Sequence, residues 1–197
     1  MSVKEKSWAL VGPGAVGLYY GGLLAADGHQ LHVLARSDAS ALKAQGIVIS
    51  HVEPKTGELI NETAVRPASV AMEAAAIAPV DLVMIAAKST VNGDLVEPLE
   101  SLVEPGRTTI LTLQNGMGNA EFYAERFPDN PVLSALCFVC VNRVAPGMVE
   151  NYHPGRVEIG SLDDRWPELA RAATEAFSAS GVKTFFAESL DAALWRK

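Results

Sequence analysis

The hydrophobic residues of this chain cluster in short runs rich in β-branched side chains, separated by stretches with the spacing of amphipathic helices. Unbroken runs of this kind are typical of parallel strands that are covered on both faces. They predict strands at Trp8–Gly12, Leu31–Ala35, Val80–Ala87, Thr109–Gln114 and Val132–Val141. Helices are predicted between them at Ala15–Ala26, Ser37–Gln45, Ala68–Ile77, Val91–Leu102 and Asn119–Arg126. The alternation indicates a doubly wound α/β sheet with right-handed crossovers.

Two segments break this alternation. The residues from Gly46 to Arg66 predict a β-hairpin whose turn is Pro54–Gly57. After Val141, "MVENYH" and "RVEIG" each follow a Pro-Gly turn, and we expect two short antiparallel strands that extend the sheet edge. A helix at about Trp166–Ser180 and a strand "VKTFFA" complete this layer.

The last ten residues, "ESLDAALWRK", begin another helix. Ser189 is a suitable N-cap, and Asp191 suits the positive end of the helix dipole. No Gly, Asn or Pro that would end the helix follows before Lys197. We therefore expect residues 1–187 to form one domain and residues 188–197 to be the first turns of a second.

Composition excludes several classes of protein. The net charge of −7 argues against a nucleic-acid-binding surface. No apolar run approaches the ~18 residues of a membrane span, and the N-terminal apolar stretch is too short for a signal peptide. Two cysteines cannot form a disulfide scaffold, so a cytoplasmic location is expected.

A metal site is not expected. Cys137 and Cys140 are three residues apart in a predicted strand, so their side chains should point to opposite faces, as core residues rather than as a metal-binding or redox pair. The four histidines lie in different predicted elements without ligand spacing.

The most specific local signal is "LVGPGAVG", a G-x-G-x-x-G motif between the first strand and the first helix. In this position the motif predicts a Rossmann-type dinucleotide site, with a glycine turn that holds no ligand as the alternative. Gly12 permits the tight turn, Gly14 lets a pyrophosphate approach the backbone, and Gly17 lets the helix pack closely on the strand. The predicted cofactor-binding residues of this motif are Gly12, Pro13, Gly14, Ala15, Val16 and Gly17.

Three further polar residues follow predicted strands. NAD sites usually carry Asp or Glu about 20 residues beyond the glycines, whereas this chain has Arg36, whose guanidinium suits a 2′-phosphate. We therefore favour NADP, the alternative being a solvated arginine. Lys88 and Asn115 follow the next strands at the sheet edge where such folds bind ligands.

Together these residues resemble the ketopantoate reductases (2-dehydropantoate 2-reductases), NADPH-dependent enzymes with a Rossmann domain followed by an all-helical domain. "GPGAVG", Arg36, Lys88 in "AAKST" and Asn115 in "QNGMG" match the motifs that bind cofactor in the family. The resemblance also implies a backbone contact to cofactor near Cys140. "LWRK" resembles the start of the helical domain, which implies that Lys197 is the catalytic general acid. The resemblance also makes Asn115 a catalytic-site residue that lines the cofactor and substrate cleft.

The resemblance implies NADPH-dependent reduction of a 2-oxo acid, with 2-dehydropantoate as the expected substrate and pantothenate biosynthesis as the pathway. It also implies that this sequence is the cofactor half of a longer enzyme and is inactive alone. A homodimer formed through the missing helical domain is left open, and neither nucleic acid nor a membrane is an expected partner. The alternatives are a non-catalytic NADP-sensing module and a paralogous 2-hydroxyacid dehydrogenase.

Overall fold

Six parallel strands form the centre of a 10-stranded sheet in the computed structural model, which describes residues 6–197. These central strands are β1 (Ser7–Val11), β2 (Gln30–Leu34), β5 (Ser69–Ala71), β6 (Leu82–Ile85), β7 (Thr109–Thr112) and β8 (Val132–Ala145). Their spatial order is β5-β2-β1-β6-β7-β8, which is the 3-2-1-4-5-6 order of the Rossmann fold when these six are counted along the chain. The predicted fold class is therefore confirmed. Residues 1–5 of the predicted domain 1–187 lie outside the described residues.

The remaining strands extend the sheet beyond β8. β9 (Met148–Ser161) runs antiparallel to β8, and it pairs in parallel with β3 (Ile47–Val52) and β10 (Thr184–Phe186). β3 forms the predicted hairpin with β4 (Leu59–Val65), which is the outermost strand. The hairpin and the antiparallel extension therefore belong to one continuous sheet.

Helices cover both faces of this sheet. They are α1 (Ala15–Ala26), α2 (Ala39–Gln45), α3 (Asn92–Glu100), α4 (Asn119–Arg126), α5 (Pro167–Ala179) and α6 (Leu190–Arg196). Alternate residues of β1 enter two separate cores: Trp8 and Leu10 pack with α1 and α5, whereas Ala9 and Val11 pack with α3 and α4. Since successive side chains of a strand point to opposite faces, an unbroken apolar run is what this two-sided cover requires.

The predicted helix at Ala68–Ile77 is wrong. Ser69–Ala71 is strand β5, paired in parallel with His32–Leu34, and only Ala74–Ala76 forms a single 3₁₀ turn. The alanine-rich composition favours a helix, but backbone pairing with β2 at this sheet edge overrides that weak local preference. Ser69 Oγ also lies 2.8 Å from His32 Nδ1 on the neighbouring strand.

The predicted division of the antiparallel segment into short strands is also wrong. β8 continues to Ala145, and β9 is a single 14-residue strand that passes through Pro154 and Gly155. Pairing survives the Pro-Gly pair because the register shifts between Phe138 and Cys140. Gly155 has φ +61°, and a Cβ there would lie 1.5 Å from the Phe138 carbonyl oxygen, so the bulge depends on glycine.

Helix α6 packs against the sheet beside β8. Leu190 and Ala193 are buried with Leu136 and Ala187 in a small third core. The predicted N-cap is present, since Ser189 Oγ accepts a 3.4 Å hydrogen bond from the Ala192 amide. Among residues 6–197, no helix combines the length and the apolar character needed to cross a membrane.

Candidate active site

A cavity of about 630 Å³ lies at the carboxyl ends of β1, β2 and β6. The strand order reverses around β1, and open α/β sheets bind ligands at such a reversal point. Apolar residues and the glycine turn form much of the wall. Its charged residues are three cations and four carboxylates: Arg36, Lys88, Arg143, Asp38, Glu73, Asp94 and Glu97.

The glycine turn has the geometry that a dinucleotide site needs. Gly12 has φ +85°, and a Cβ there would lie 2.4 Å from the Ala87 amide nitrogen. A Cβ on Gly17 would lie 2.7 Å from the Gly12 carbonyl oxygen, so helix and strand approach closely at this residue. Around a Cβ built on Gly14, by contrast, no non-neighbouring atom of residues 6–197 comes within 4 Å. The turn is therefore tightly packed against β6 and open on the side where a phosphate would approach α1.

Arg36 and Lys88 line the same cavity from the ends of β2 and β6. Both residues are exposed. Within residues 6–197 neither side chain forms a hydrogen bond or an ion pair with the protein. These two side chains, beside the open glycine turn, are therefore available to bind anionic groups of a ligand, in a wall that also carries four carboxylates.

Sequence reasoning missed an ion pair in the wall. Arg143 Nη1 donates to Asp38 Oδ2 at 2.6 Å, and the Asp38 side chain is 5% exposed. Asp38 lies two residues after Arg36, the residue predicted to bind the 2′-phosphate, and this was the only signal in the sequence for its place in the wall. For Arg143 the sequence offered no signal, since it comes from β8, 105 positions later.

A second cluster brings together the two predicted catalytic residues. Lys197 Nζ donates a 2.6 Å hydrogen bond to Asn115 Oδ1 and lies 5.2 Å from the centroid of the Phe138 ring. Burial lowers the pKa of Lys197 from its usual 10.5, opposed by a smaller charge interaction with the Cys137 thiol. Lowering the pKa makes the ammonium a better proton donor.

A buried network of side chains connects the loops that carry Lys88 and Asn115. Gln114 Nε2 donates to the Ala87 carbonyl at 2.8 Å and to Asn92 Oδ1 at 2.7 Å. Asn92 Nδ2 in turn donates to Asn119 Oδ1 at 3.1 Å, and Asn119 Nδ2 donates to the Asn115 carbonyl at 3.1 Å. The two loops are therefore held by satisfied, directional contacts, which fix their backbone positions.

The structure places the remaining predicted site residues as follows. Pro13 lines the cavity, whereas Ala15 and Val16 lie in the first turn of α1, outside its wall. Cys140 is also outside the wall, and its carbonyl accepts a 3.2 Å hydrogen bond from Asn151 Nδ2. Arg143 is the residue of β8 that reaches the cavity. Asn115 and Lys197 form their own cluster and do not line the cavity.

The two cysteines differ in burial: Cys137 is buried, Cys140 is exposed, and both thiols are free. The expectation that both are core residues is therefore wrong for Cys140, which lies where the register of β8 and β9 shifts. Burial raises the pKa of Cys137 to about 12. Among residues 6–197, no group of three or more His, Cys, Asp or Glu side chains is placed to hold a metal ion.

The sequence of this chain is similar to a family model and to curated proteins that are named as reductases. The family model "Ketopantoate reductase PanE/ApbA" matches residues 8–164. A 2-dehydropantoate 2-reductase of Nostoc sp. is 28% identical over 99% of this chain and 60% of its own length. That of Halobacterium salinarum is 30% identical over 94% of this chain and 59% of its own length. The chain thus spans about 60% of the length of these curated relatives.

Solved structures share the architecture. The 2-dehydropantoate 2-reductase of Geobacter metallireducens superposes with a TM-score of 0.86 at 31% identity, over 96% of this chain and 60% of that one. The enzyme of Methylococcus capsulatus gives a TM-score of 0.82 at 31% identity, over 96% and 59%. A D-mandelate dehydrogenase solved with NADH gives 0.81 at 20% identity over 96% and 59%, a likeness that shows the fold alone.

The family match covers both the glycine turn and the loops that carry Lys88 and Asn115. Its name denotes an oxidoreductase, and the Rossmann-type sheet with an open glycine turn fits a nicotinamide cofactor. By sequence and by fold, this chain belongs to the ketopantoate reductase family.

Proposed function

We propose that this chain carries the NADPH-binding half of an enzyme that reduces a 2-oxo acid, with 2-dehydropantoate as substrate and pantoate as product. The reaction would then serve pantothenate biosynthesis. The observation that carries the proposal is the cavity in which the open glycine turn meets the cations Arg36 and Lys88, neither of which has a partner among residues 6–197. The names of the relatives support the same reaction.

The proposed binding of NADPH divides the cofactor among these residues. The pyrophosphate would lie on the backbone of Gly12–Gly14 and on the first amides of α1, where the helix dipole favours negative charge. Arg36 would bind the 2′-phosphate with its planar fork of N–H donors, which suits a phosphate better than ribose hydroxyls. Lys88 would contact a second anionic part of the cofactor as a flexible point charge.

The proposed chemistry assigns the proton to Lys197. The cofactor, when bound, supplies a hydride to the ketone carbon of the substrate. Negative charge then develops on the ketone oxygen, where the ammonium of Lys197 stabilises it and donates the proton that completes the alcohol. The hydrogen bond to Asn115 holds Nζ in place before the substrate arrives.

We further propose that residues 1–187 form the cofactor-binding domain and that residues 188–197 begin a helical domain that binds the substrate. The relatives are longer than this chain, which supports the division. On this proposal the 197-residue chain binds NADPH but has little or no reductase activity alone. The cytoplasmic location and the homodimer stay predictions.

The test is an assay of NADPH oxidation against a panel of 2-oxo acids, with the 197-residue chain and with a longer polypeptide that continues past Lys197 to the length of the relatives. The longer polypeptide should oxidise NADPH with 2-dehydropantoate, while the 197-residue chain should bind NADPH without turnover. Binding of NADPH without turnover of any 2-oxo acid by the longer polypeptide would favour an NADP-sensing module instead. Turnover of other 2-oxo acids alone would favour a paralogous 2-hydroxyacid dehydrogenase.

A further inference from the structure

We propose that Arg143 is a second arginine for the 2′-phosphate of the cofactor, and that its ion pair with Asp38 decides which nicotinamide dinucleotide the cavity prefers. This inference rests on the proposed function. Arg36, Ser37, Asp38 and Arg143 all line the cavity, so the ion pair belongs to the wall that would surround the adenosine ribose.

The carboxylate of Asp38 accepts hydrogen bonds from residues of the cavity wall and none from the first amides of its own helix. Asp38 is the N-cap residue of α2, where an aspartate usually accepts a hydrogen bond from a first-turn amide. Here the side chain caps no amide. Its oxygens instead accept from Arg143 Nη1 at 2.6 Å and from Ser37 Oγ at 3.0 Å.

A buried carboxylate at this place has a direct consequence for specificity. In NAD sites an acidic residue after the second strand accepts hydrogen bonds from the ribose hydroxyls, and its charge repels a 2′-phosphate. Asp38 lies in that region with a side chain only 5% exposed, so its charge would act at short range in a poorly solvated place. The guanidinium of Arg143 cancels this charge.

Arg143 also has N–H donors that the described part of the protein does not use. Its guanidinium carries five N–H groups, and among residues 6–197 its hydrogen bonding is confined to Asp38 through one nitrogen. The side chain is 43% exposed, so its remaining donors are accessible to a ligand. Arg36, without a partner in the described part of the chain, would bind the phosphate together with these donors.

The ion pair would therefore act in two ways. With Arg143 present, the charge of Asp38 is neutralised, and the guanidinium groups of Arg36 and Arg143 favour a phosphorylated ribose. Without Arg143, one guanidinium and an unpaired buried carboxylate remain, and Asp38 becomes an acceptor for ribose hydroxyls. Removing Arg143 should therefore shift the preference from NADPH toward NADH.

The experiment is isothermal titration calorimetry of the 197-residue chain with NADPH, NADH and adenosine 2′,5′-bisphosphate. Arg143→Ala should raise the Kd for NADPH and for the bisphosphate by about tenfold or more, the value of a lost charge-assisted hydrogen bond, with the Kd for NADH unchanged or lower. Asp38→Asn combined with Arg143→Ala should recover part of the lost NADPH affinity, because the unpaired carboxylate is gone. Arg165→Ala, which removes an exposed arginine outside the cavity, is the matched control.

An unchanged preference for NADPH in Arg143→Ala would overturn the inference. Equal weakening of NADPH and NADH would overturn it as well, because that result assigns the ion pair a purely structural role. The wild-type chain separates these outcomes from the proposed function. A wild type that binds neither dinucleotide refutes the proposed function, whereas a wild type that prefers NADPH, with an Arg143→Ala variant that keeps this preference, refutes the present inference alone.

Discussion

Lys197 Nζ donates a 2.6 Å hydrogen bond to Asn115 Oδ1 across 82 positions of the sequence. If this lysine is the general acid, Lys197→Met in the longer polypeptide should lower kcat by about 10²–10⁴-fold. The Kd for NADPH should stay near the wild-type value, since Lys197 lies outside the cofactor cavity. Stopped-flow and steady-state assays of NADPH oxidation with 2-dehydropantoate measure both quantities.

The matched control is Lys183→Met, which removes an exposed lysine that lies over the Phe185 ring. It should leave kcat unchanged. The pH profile of the wild type is a second check: kcat should fall as pH rises through the pKa of Lys197, which burial lowers below 10.5, because a general acid must be protonated to act. Near-normal turnover in Lys197→Met would end the assignment.

Arg36→Ala should remove much of the preference for NADPH. The guanidinium has no other partner among residues 6–197, so its loss breaks no contact that holds the fold together. The Kd for NADPH should rise about tenfold or more, with the Kd for NADH within about threefold of the wild-type value. Equal affinities of the wild type for the two dinucleotides would count against this role for Arg36.

Gly14→Ala and Gly12→Ala should separate cofactor binding from folding. Gly14 has φ −80° and open space where the Cβ would lie, so the alanine variant should lose less than about 1 kcal/mol of stability. It should still bind NADPH more weakly, because the methyl group occupies the approach to the backbone.

Gly12→Ala forces a Cβ against Ala87 at a positive φ and should destabilise the fold by about 2 kcal/mol or more. Calorimetric unfolding and NADPH titration distinguish the two, and normal NADPH binding by Gly14→Ala would contradict the proposed approach of the pyrophosphate.

The buried network predicts unequal effects of two substitutions. Asn92 Oδ1 accepts from both Gln114 Nε2 and the Tyr123 hydroxyl, so Asn92→Ala leaves several buried polar groups unsatisfied. We expect a loss of about 3 kcal/mol or more in the free energy of unfolding. Tyr123→Phe removes a single donor and should cost about 1 kcal/mol. Urea denaturation measures both, and equal losses would contradict the expectation that the cost follows the number of buried polar groups left unsatisfied.

The two thiols should differ in reactivity. Cys140 is exposed, whereas Cys137 is buried and has a pKa raised to about 12, so its thiolate is scarce at neutral pH. The native protein should react with one equivalent of 5,5′-dithiobis(2-nitrobenzoate), and a second thiol should react after unfolding in guanidinium chloride. The native Cys140→Ser variant should show almost no reaction. Rapid reaction of two thiols in the folded wild type would contradict the burial of Cys137.

Sequence prediction failed where pairing with distant residues overrode local preference. The segment Ala68–Ile77 is rich in alanine, yet Ser69–Ala71 forms β5 because β2 offers an unpaired edge. Pro154 and Gly155 resemble a turn in the sequence, yet β9 continues through them because β8 provides a partner along almost its whole length. In both cases the deciding hydrogen bonds join segments that no local window contains.

The residues of the candidate site likewise fall into those that local sequence predicts and those that only the fold brings together. The glycine turn is a local feature, since its strand, bend and helix are contiguous, so the sequence was enough to predict it. Asn115 was singled out by its place after a predicted strand and Lys197 by the resemblance to a family, and their hydrogen bond became visible only when α6 was placed beside β8. Asp38 and Arg143 were missed because neither residue belongs to a local motif.

The sequence by itself determined the alternation of strands and helices, the two-sided cover of the central sheet and the glycine turn, because each depends on the spacing of residues within about 20 positions. Only the tertiary structure decided that β8 brings Arg143 to Asp38, 105 positions away. The order of the strands in the sheet determines which distant residues come into contact, and that order depends on the packing of the whole sheet. The charge balance of the cavity, and with it the proposed choice of cofactor, is therefore a property of the fold.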